Sequence, residues 1–399
     1  MVTPVFLTGT ARGGTSLIAR MLDAHENAAV ALDACLPLYR SLRNSMVRRR
    51  FPEFDTTQPF GDGYGSAIRR AELQAVLEAD CDIAIEPSAL PALKSALARR
   101  AADESPDLAP AMEALRGERF IDIFKELLAL TLRIRGVRQP LCAGLKDPWV
   151  VDMFPAIARS MSNARFIVIL RDPRDVVSSM LGFLDRDPLS VGHILSVLRH
   201  WRKMTACIRE FSADPLLARR ILVVRYEDVV FEPAVWARKL CNFLGLTEDP
   251  NMSAAASFRD YGTGGQWQGN STFDERLTAI SRSPVSRWTR QLPAPVVKLA
   301  ELCCGPEMGE WGYAPSHAEY SLFDSDILTF LIEDGRRECS WRGDSGDAVL
   351  EYGSEISRRS MLRHPTSLFS TEQIETRYLF TGYLKYLQAR LTEAQGVPA

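Results

Sequence analysis

Short apolar runs alternate with longer amphipathic stretches along this chain. Five runs predict buried strands, because each is short, rich in apolar residues and without a polar face. They lie at 5–7, 28–32, 141–146, 165–171 and 221–226. Helical spacing of apolar residues follows most of the runs. Asp147-Pro148 is predicted to open a helix that Pro155 kinks. Strands that alternate with helices predict the α/β class, with a parallel sheet of about four to five strands flanked by helices.

Two long stretches outside this alternation carry mostly helical spacing. Between the second and third predicted strands, residues 37–140 read as a helical insertion, with helices predicted at 67–77, 90–102 and 120–134. An insertion at this point is expected to cover the active edge of the sheet. Residues 316–399 are also mainly helical, with a capping box at Ser370-Thr371-Glu372-Gln373. We therefore predict an α/β domain at 1–315 and a helical C-terminal extension of unknown role at 316–399.

The first strand is followed by a glycine-rich loop, Gly9-Thr10-Ala11-Arg12-Gly13-Gly14-Thr15-Ser16, and then by a helix. Thr15 and Ser16 should begin that helix, where free N–H groups and the helix dipole attract an anion. The loop matches the nucleotide-binding pattern Gly-x4-Gly-Lys-Ser/Thr except that Thr15 replaces the lysine, and Arg12 supplies a cation instead. Such a loop suits a phosphosulfate better than ATP with magnesium. A plain glycine turn is the alternative.

Charged and polar residues follow several of the predicted strands. Asp33, Lys146, Arg171 and Tyr226 each stand at or beside the carboxyl end of a strand. In an open parallel sheet these ends meet at one edge, where ligands bind and where the glycine loop also opens. A loop or helix-capping role remains the alternative for Asp33. The basic run of the insertion either meets an anionic acceptor or forms a solvated helix face; it comprises Arg40, Arg43, Arg48, Arg49 and Arg50.

Composition narrows the class of protein further. The 399 residues carry a formal charge of −2, which argues against nucleic acid as a partner. Eight cysteines and five histidines lack metal-binding spacing, so we expect no metal site. No apolar run is long enough to span a bilayer and no signal-peptide pattern is visible, so a cytoplasmic location is expected. The sequence leaves a homodimer open.

Taken together, the spaced motifs resemble the sulfotransferases that use 3′-phosphoadenosine 5′-phosphosulfate (PAPS), and most of all the tyrosylprotein-type enzymes and their bacterial relatives. The loop from Thr10 to Ser16 resembles the family's 5′-phosphosulfate loop. The stretch 165–180, with Arg171-Asp172-Pro173-Arg174 and Ser179, resembles its 3′-phosphate site. Lys146-Asp147-Pro148 and Arg225-Tyr226-Glu227-Asp228 also resemble family elements, and so does a loop at 267–272 that contains Trp267. The likeness covers about residues 2 to 313.

The resemblance implies a PAPS-dependent, P-loop-type enzyme and assigns roles to these residues. Arg12 and Lys146 would stabilise charge on the leaving phosphate, and Arg171 with Ser179 would hold the 3′-phosphate. Asp33 falls where the family carries its catalytic glutamate, and it is one methylene shorter. The implied donor-binding set is Arg12, Gly13, Gly14, Thr15, Ser16, Arg171, Ser179 and Tyr226, and the implied catalytic set is Asp33, Lys146 and Arg12.

The sequence leaves two other functions open. A P-loop kinase that phosphorylates a small molecule is disfavoured by the missing loop lysine, and a non-catalytic nucleotide-binding protein would keep the fold without transferring any group. The general base has alternatives in His25 and His200. We expect a glycan or another small-molecule acceptor, whose identity the insertion would set and the motifs do not reveal.

Overall fold

The computed structural model describes residues 1–183, 191–267, 279–316, 324–334 and 348–394. The chain divides into two compact units. The first comprises 1–54, 75–171 and 211–285, and the second comprises 55–74, 172–210 and 286–399. The domain boundary expected near residue 315 stays a prediction.

A five-stranded parallel sheet forms the centre of the first unit, in the order β2-β3-β1-β4-β5. This arrangement confirms the predicted fold class. Strand β1 lies in the middle of the sheet, with β2 and β3 on one side of it and β4 and β5 on the other. The strand order therefore reverses beside β1, and such a switch point is where α/β proteins bind ligands. The strands are β1 (Thr3–Gly9), β2 (Ala28–Leu32), β3 (Cys142–Lys146), β4 (Arg165–Leu170) and β5 (Ile221–Arg225).

The helices follow the predicted spacing closely, including the three expected in the insertion between β2 and β3. One prediction is wrong: Asp147-Pro148 does not open a helix that is kinked at Pro155. A turn with Trp149 at φ 69° intervenes, and Pro155 lies in the first turn of α6. The helices are α1 (Thr15–Asp23), α2 (Leu36–Arg50), α3 (Ala67–Glu78), α4 (Leu90–Glu104), α5 (Phe120–Ile134), α6 (Phe154–Ser160), α7 (Pro173–Phe183), α8 (Val191–Ala213), α9 (Tyr226–Phe231), α10 (Pro233–Leu244), α11 (Trp288–Gln291), α12 (Ala294–Glu310), α13 (Ser325–Asp334), α14 (Ala348–Arg363), α15 (Thr371–Tyr378) and α16 (Thr381–Ala394).

Alternation along the strands supplies both faces of the sheet with a core. On one face, Val5 and Leu7 of β1 belong to a buried cluster that includes residues of α1 and α10. On the other face, the ring of Phe6 packs edge-on against Phe124 of α5, with 5.8 Å between the ring centroids. Burial on both faces fixes the sheet, so the positions at which its strands end are also fixed.

The strand register brings the carboxyl ends of β1, β2 and β3 together. Lys146 is the register partner of Leu7 in β1 and of Leu32 in β2. Asp33 follows Leu32 directly, and its N–H donates to the carbonyl of Lys146 at 2.7 Å. Consequently, the glycine loop after β1, Asp33 after β2 and Lys146 at the end of β3 share one edge of the sheet.

The described part of the second unit is mainly helical, and it contains buried ion pairs. Arg202 of α8 donates two hydrogen bonds to Glu355 of α14, and Arg358 pairs with Glu307. Both arginines also donate to the carbonyl of Cys303 at 3.1 Å. The predicted capping box at Ser370 is present at the start of α15. These contacts tie α8, α12 and α14 together.

Candidate active site

The glycine loop ends where α1 begins, as predicted, and leaves the start of that helix uncapped. Gly14 precedes Thr15 without a side-chain cap, and the first turn has no acidic residue. The hydroxyl of Thr10 is buried without a hydrogen-bond partner. Unsatisfied N–H groups, the positive end of the helix dipole and a buried free hydroxyl suit a bound anion. The loop therefore fits the phosphosulfate group that the sequence suggested.

Glycine is required at two positions of this loop. Gly14 has φ 87°, and a Cβ there would lie 2.1 Å from the ring of Tyr226. A Cβ on Gly13 would lie 2.8 Å from both oxygens of Thr10, whose carbonyl accepts from the Gly13 N–H at 2.9 Å. Any side chain at either site would displace the loop or the tyrosine. Two donor-site residues of the sequence analysis, Gly14 and Tyr226, are thus in direct contact.

Lys146 links the loop to Asp33. Its ammonium group donates to Asp33 Oδ2 at 2.5 Å and to Ser16 Oγ at 3.2 Å, and its side chain is only 2% exposed. A cation from β3 thus reaches the helix start that the loop sequence leaves without a lysine. The structure brings together three predicted site residues from three different strand ends.

Asp33 is held in an unusual backbone conformation. Its φ is 49°, in the left-handed region that aspartate tolerates better than most residues. The backbone is fixed on both sides, because its N–H donates to Lys146 and its carbonyl accepts from Arg100 Nε at 2.8 Å. Oδ1 is buried and has no hydrogen-bond partner. One carboxylate oxygen is therefore held by Lys146, and the other has its hydrogen-bonding capacity unused.

Arg171 contacts the loop from the end of β4. It donates to the carbonyl of Arg12 at 3.1 Å and to the carbonyl of Pro284 at 2.6 Å, and its guanidinium lies 4.7 Å from the ring centroid of Tyr226. Burial and the charge of Arg171 lower the pKa of Arg12. Two guanidinium groups at one site favour an anion between or beside them. Ser179 lies on α7 of the second unit and is buried; its assignment to the 3′-phosphate stays a prediction.

Asp147 is a fully buried carboxyl that the sequence analysis did not assign. Its Oδ1 accepts from the N–H of Cys35 at 3.1 Å, and its backbone carbonyl accepts from Thr8 Oγ1 at 2.8 Å. Burial and the charge of Asp33 raise its pKa well above the usual range, against the opposing charges of Lys146 and Arg100. Asp147 therefore supports the strand ends as a buried carboxyl whose surroundings favour the protonated form.

Asp147→Asn is expected to gain stability relative to the wild type as the pH rises above about 4, the ordinary pKa of aspartate. The folded wild type keeps its proton while the unfolded chain releases it, so rising pH destabilises the wild type until the raised pKa is passed, by at most about 1.4 kcal/mol per pH unit. Asparagine does not titrate, so the variant lacks this pH-dependent loss of stability. Thermal unfolding midpoints of both proteins at pH 4 and pH 7 test this. The prediction would be contradicted if the midpoint of the variant, relative to that of the wild type, fell between pH 4 and pH 7.

The end of α4 also reaches this edge, and the sequence analysis did not identify it. Ser105 Oγ accepts from the N–H of Leu32 at 2.9 Å and donates to its carbonyl at 3.0 Å, while Arg100 donates to Asp33. Beside them, Glu104 is half-buried. The sequence carries a signal, since Arg100 and Glu104 are four residues apart at a helix end, but nothing in it joins that end to β2.

The two histidines considered as alternative bases have different surroundings. The ring of His25 is bonded to the carbonyl of Thr247 at 2.9 Å and to the N–H of Asn27 at 3.0 Å. His200 lies in the second unit, where burial lowers its pKa to about 3.

In the described ranges no group of residues could hold a metal ion, and no helix there is long and apolar enough to cross a membrane. Of the loop resembling the family around 267–272, only Trp267 lies within the described residues.

Comparison with known proteins agrees with this geometry. A model described as "Sulfotransferase family" matches residues 4–250, which is more than half of the chain. The chain belongs to the sulfotransferase family. The match contains the loop, Asp33, Lys146, Arg171 and Tyr226, so it spans every first-unit residue that the sequence analysis assigned to the site.

Individual relatives of this sulfotransferase-family protein are distant. A protein-tyrosine sulfotransferase of Drosophila melanogaster is 26% identical over 176 residues, covering 43% of this chain and 34% of the relative. Carbohydrate sulfotransferase 5 of Mus musculus is 25% identical over 208 residues, covering 47% and 51%. The chain thus spans about half or less of the length of these relatives. A solved sulfotransferase domain from the curacin biosynthetic pathway is 18% identical with a TM-score of 0.46, covering 79% of this chain and 99% of that one.

Proposed function

We propose that the protein transfers the sulfuryl group of PAPS to a hydroxyl of a carbohydrate or small natural-product acceptor, in line and without a metal ion. One arrangement carries the proposal. Lys146 contacts Ser16 at the uncapped start of α1 and, at the same time, Asp33 at 2.5 Å. A cation shared between an anion-binding helix start and a carboxylate suits a reaction that moves an anionic group and removes a proton.

The donor is proposed to bind with its 5′-phosphosulfate at the loop. The N–H groups of Thr15 and Ser16 and the charges of Arg12 and Lys146 would hold the phosphosulfate oxygens. Arg171 would bind the 3′-phosphate, with Tyr226 holding its guanidinium in place at 4.7 Å. Because these groups sit at chain positions fixed by the sheet, they need no rearrangement to stabilise charge on the leaving oxygen.

The proposed reaction balances without any co-reactant. The acceptor oxygen attacks sulfur, the bond from sulfur to the phosphate oxygen breaks, and adenosine 3′,5′-bisphosphate leaves with the bonding electrons. Asp33 Oδ1 takes the proton of the acceptor hydroxyl, because Oδ2 is already held by Lys146. The sulfuryl group carries less charge than a phosphoryl group, so the fixed cations Arg12 and Lys146 can replace a metal ion.

The function is tested by transfer of labelled sulfate from PAPS to a panel of glycans, phenols, peptides and simple alcohols in the presence of EDTA. We expect transfer to a hydroxyl compound and no dependence on divalent ions. Parallel reactions with labelled ATP and magnesium serve as the control for kinase activity. Phosphorylation with no response to PAPS would replace this proposal by a kinase, and tight bisphosphate binding without any transfer would leave a non-catalytic binding protein.

Arg171→Ala is expected to weaken the binding of adenosine 3′,5′-bisphosphate by about 1.5–3 kcal/mol, the scale of a hydrogen bond to a charged group. ADP, which has no 3′-phosphate, provides the matched probe: disturbance of the loop through Arg12 would weaken both ligands, whereas loss of the 3′-phosphate contact weakens only the bisphosphate. Calorimetric titration of both proteins with both ligands gives the ratio. Equal wild-type affinity for ADP and the bisphosphate would refute the assignment.

A further inference from the structure

The C-terminal end of α4 is fastened to the catalytic edge of the sheet. Strand β2 is the outermost strand on its side, and the side chain of Ser105 satisfies both backbone groups of Leu32 at 2.9 and 3.0 Å. Arg100, which precedes Glu104 by four residues on α4, donates to the carbonyl of Asp33 at 2.8 Å. Ser105 is fully buried. Residues on both sides of Glu104 are thus bonded to Leu32 and Asp33, which fixes the backbone of Glu104 beside Asp33.

Glu104 lies among the charged groups of the site without being paired to any of them. Its carboxyl is half-buried, and it makes no hydrogen bond or ion pair within the part of the chain that the structure describes. Burial, followed by the charge of Asp33, raises its pKa, while Lys146 and Arg100 act in the opposite direction. The charge of Glu104 also acts to raise the pKa of Arg12, against the larger lowering by burial and Arg171. The bonds of Arg100 and Ser105 to Asp33 and Leu32 place Glu104 at this edge, and its charge interacts with Asp33, Lys146 and Arg12.

Asp33 supplies the second unsatisfied group. Its side chain is about nine-tenths buried, Lys146 holds Oδ2, and Oδ1 has no partner. A buried carboxylate oxygen without a partner is costly, so its position favours a ligand that donates a hydrogen bond. Two carboxyl groups in one region, each able to accept from a hydroxyl, can bind two hydroxyls of the same molecule.

We propose that Glu104 and Asp33 form a two-carboxyl acceptor subsite for an uncharged molecule with two neighbouring hydroxyls, such as a glycoside. This inference rests on the proposed function. Asp33 takes the proton of the reacting hydroxyl, and Glu104 is a positioning residue that holds the second hydroxyl. Two acidic groups disfavour an anionic acceptor, and the nearby cations Lys146, Arg100 and Arg12 disfavour a cationic one. A neutral polyol suits both conditions.

The test uses labelled PAPS with methyl glycosides of glucose, galactose and mannose and with their monodeoxy derivatives. The wild type is expected to use at least one glycoside about 10–100-fold more efficiently, in kcat/KM, than the derivative lacking the neighbouring hydroxyl, as expected for loss of one hydrogen bond to a charged group. In Glu104→Ala this ratio should fall close to one, because the parent loses activity and the deoxy compound does not.

Two further variants and one binding measurement separate positioning from folding. Asp103→Asn changes the neighbouring exposed acid and should keep the wild-type ratio. Glu104→Gln, which retains hydrogen-bonding atoms, should keep part of it. All three variants should bind adenosine 3′,5′-bisphosphate like the wild type. An unchanged ratio in Glu104→Ala, or an equal loss with parent and deoxy compounds, would overturn the proposal.

Measurements on the wild type also distinguish the two-carboxyl subsite from the proposed sulfotransferase function. Transfer to phenols or peptides but to no glycoside would overturn the two-hydroxyl subsite and leave the sulfotransferase function standing. Transfer to no acceptor of the whole panel would overturn the proposed function and this inference with it.

Discussion

Asp33→Asn is expected to reduce turnover by about two to four orders of magnitude, the contribution of a general base, while bisphosphate affinity stays nearly unchanged. Asparagine keeps the shape of the side chain and can still accept from Lys146 through its amide oxygen, so the backbone contacts with Lys146 and Arg100 should persist. It cannot take the acceptor proton. Initial rates of labelled sulfate transfer and calorimetric titration with adenosine 3′,5′-bisphosphate measure the two quantities on the same preparation.

His25→Gln is the informative comparison for this variant, because histidine is the most common alternative base. The ring of His25 is bonded to Thr247 and Asn27 and is 2% exposed, so its loss should lower stability without removing a base. Its turnover per folded molecule should stay near the wild-type value. Near-normal turnover in Asp33→Asn together with a collapse in His25→Gln would move the base away from Asp33.

Lys146→Met is expected to reduce turnover by about 10²–10³-fold, the loss that follows removal of one group stabilising a developing oxyanion. Methionine preserves much of the apolar length of the side chain, which is 2% exposed, but removes the charge that contacts Ser16 and Asp33. Asp33 would then lack its bonded cation. Single-turnover rates at saturating PAPS separate this loss from weaker donor binding.

Lys125→Met controls for the removal of one positive charge from the same unit. Lys125 is exposed on α5, so its replacement should leave both turnover and the thermal midpoint unchanged. Wild-type turnover in Lys146→Met would show that charge on the leaving group is stabilised elsewhere. A decrease in both variants would assign the effect to the overall charge of the protein.

Much of the sheet follows from local patterns. Each strand combines short apolar runs with burial on both faces, and such runs have few other stable arrangements in water. The glycine loop is equally local, since Gly13 and Gly14 stand where a Cβ would clash. Parallel strands place their carboxyl ends at one edge, and this geometric rule was enough to predict that Asp33, Lys146 and Arg171 lie at the edge of the loop.

Other predictions depended on the resemblance rather than on the pattern. Tyr226 begins α9 directly after β5, and its contact with Gly14 could not be derived from spacing. The turn after Lys146 was predicted as a helix because Asp-Pro commonly opens one. The structure instead carries Trp149 at φ 69°, with its N–H donating to the carbonyl of Gly9 at 3.1 Å. A contact across the sheet thus outweighs a local preference.

By itself the sequence determined the strands, the helices and the edge at which the charged residues gather, because these depend on hydrophobic periodicity and on residues close together in the chain. Tertiary structure alone decided which carboxylate oxygen of Asp33 is held by Lys146 and which has no hydrogen-bond partner. It also decided that Ser105 bonds to Leu32, 73 residues away, and so brings Glu104 to the site. Such contacts form between distant segments whose positions are set by packing of the whole unit, and no local pattern encodes them.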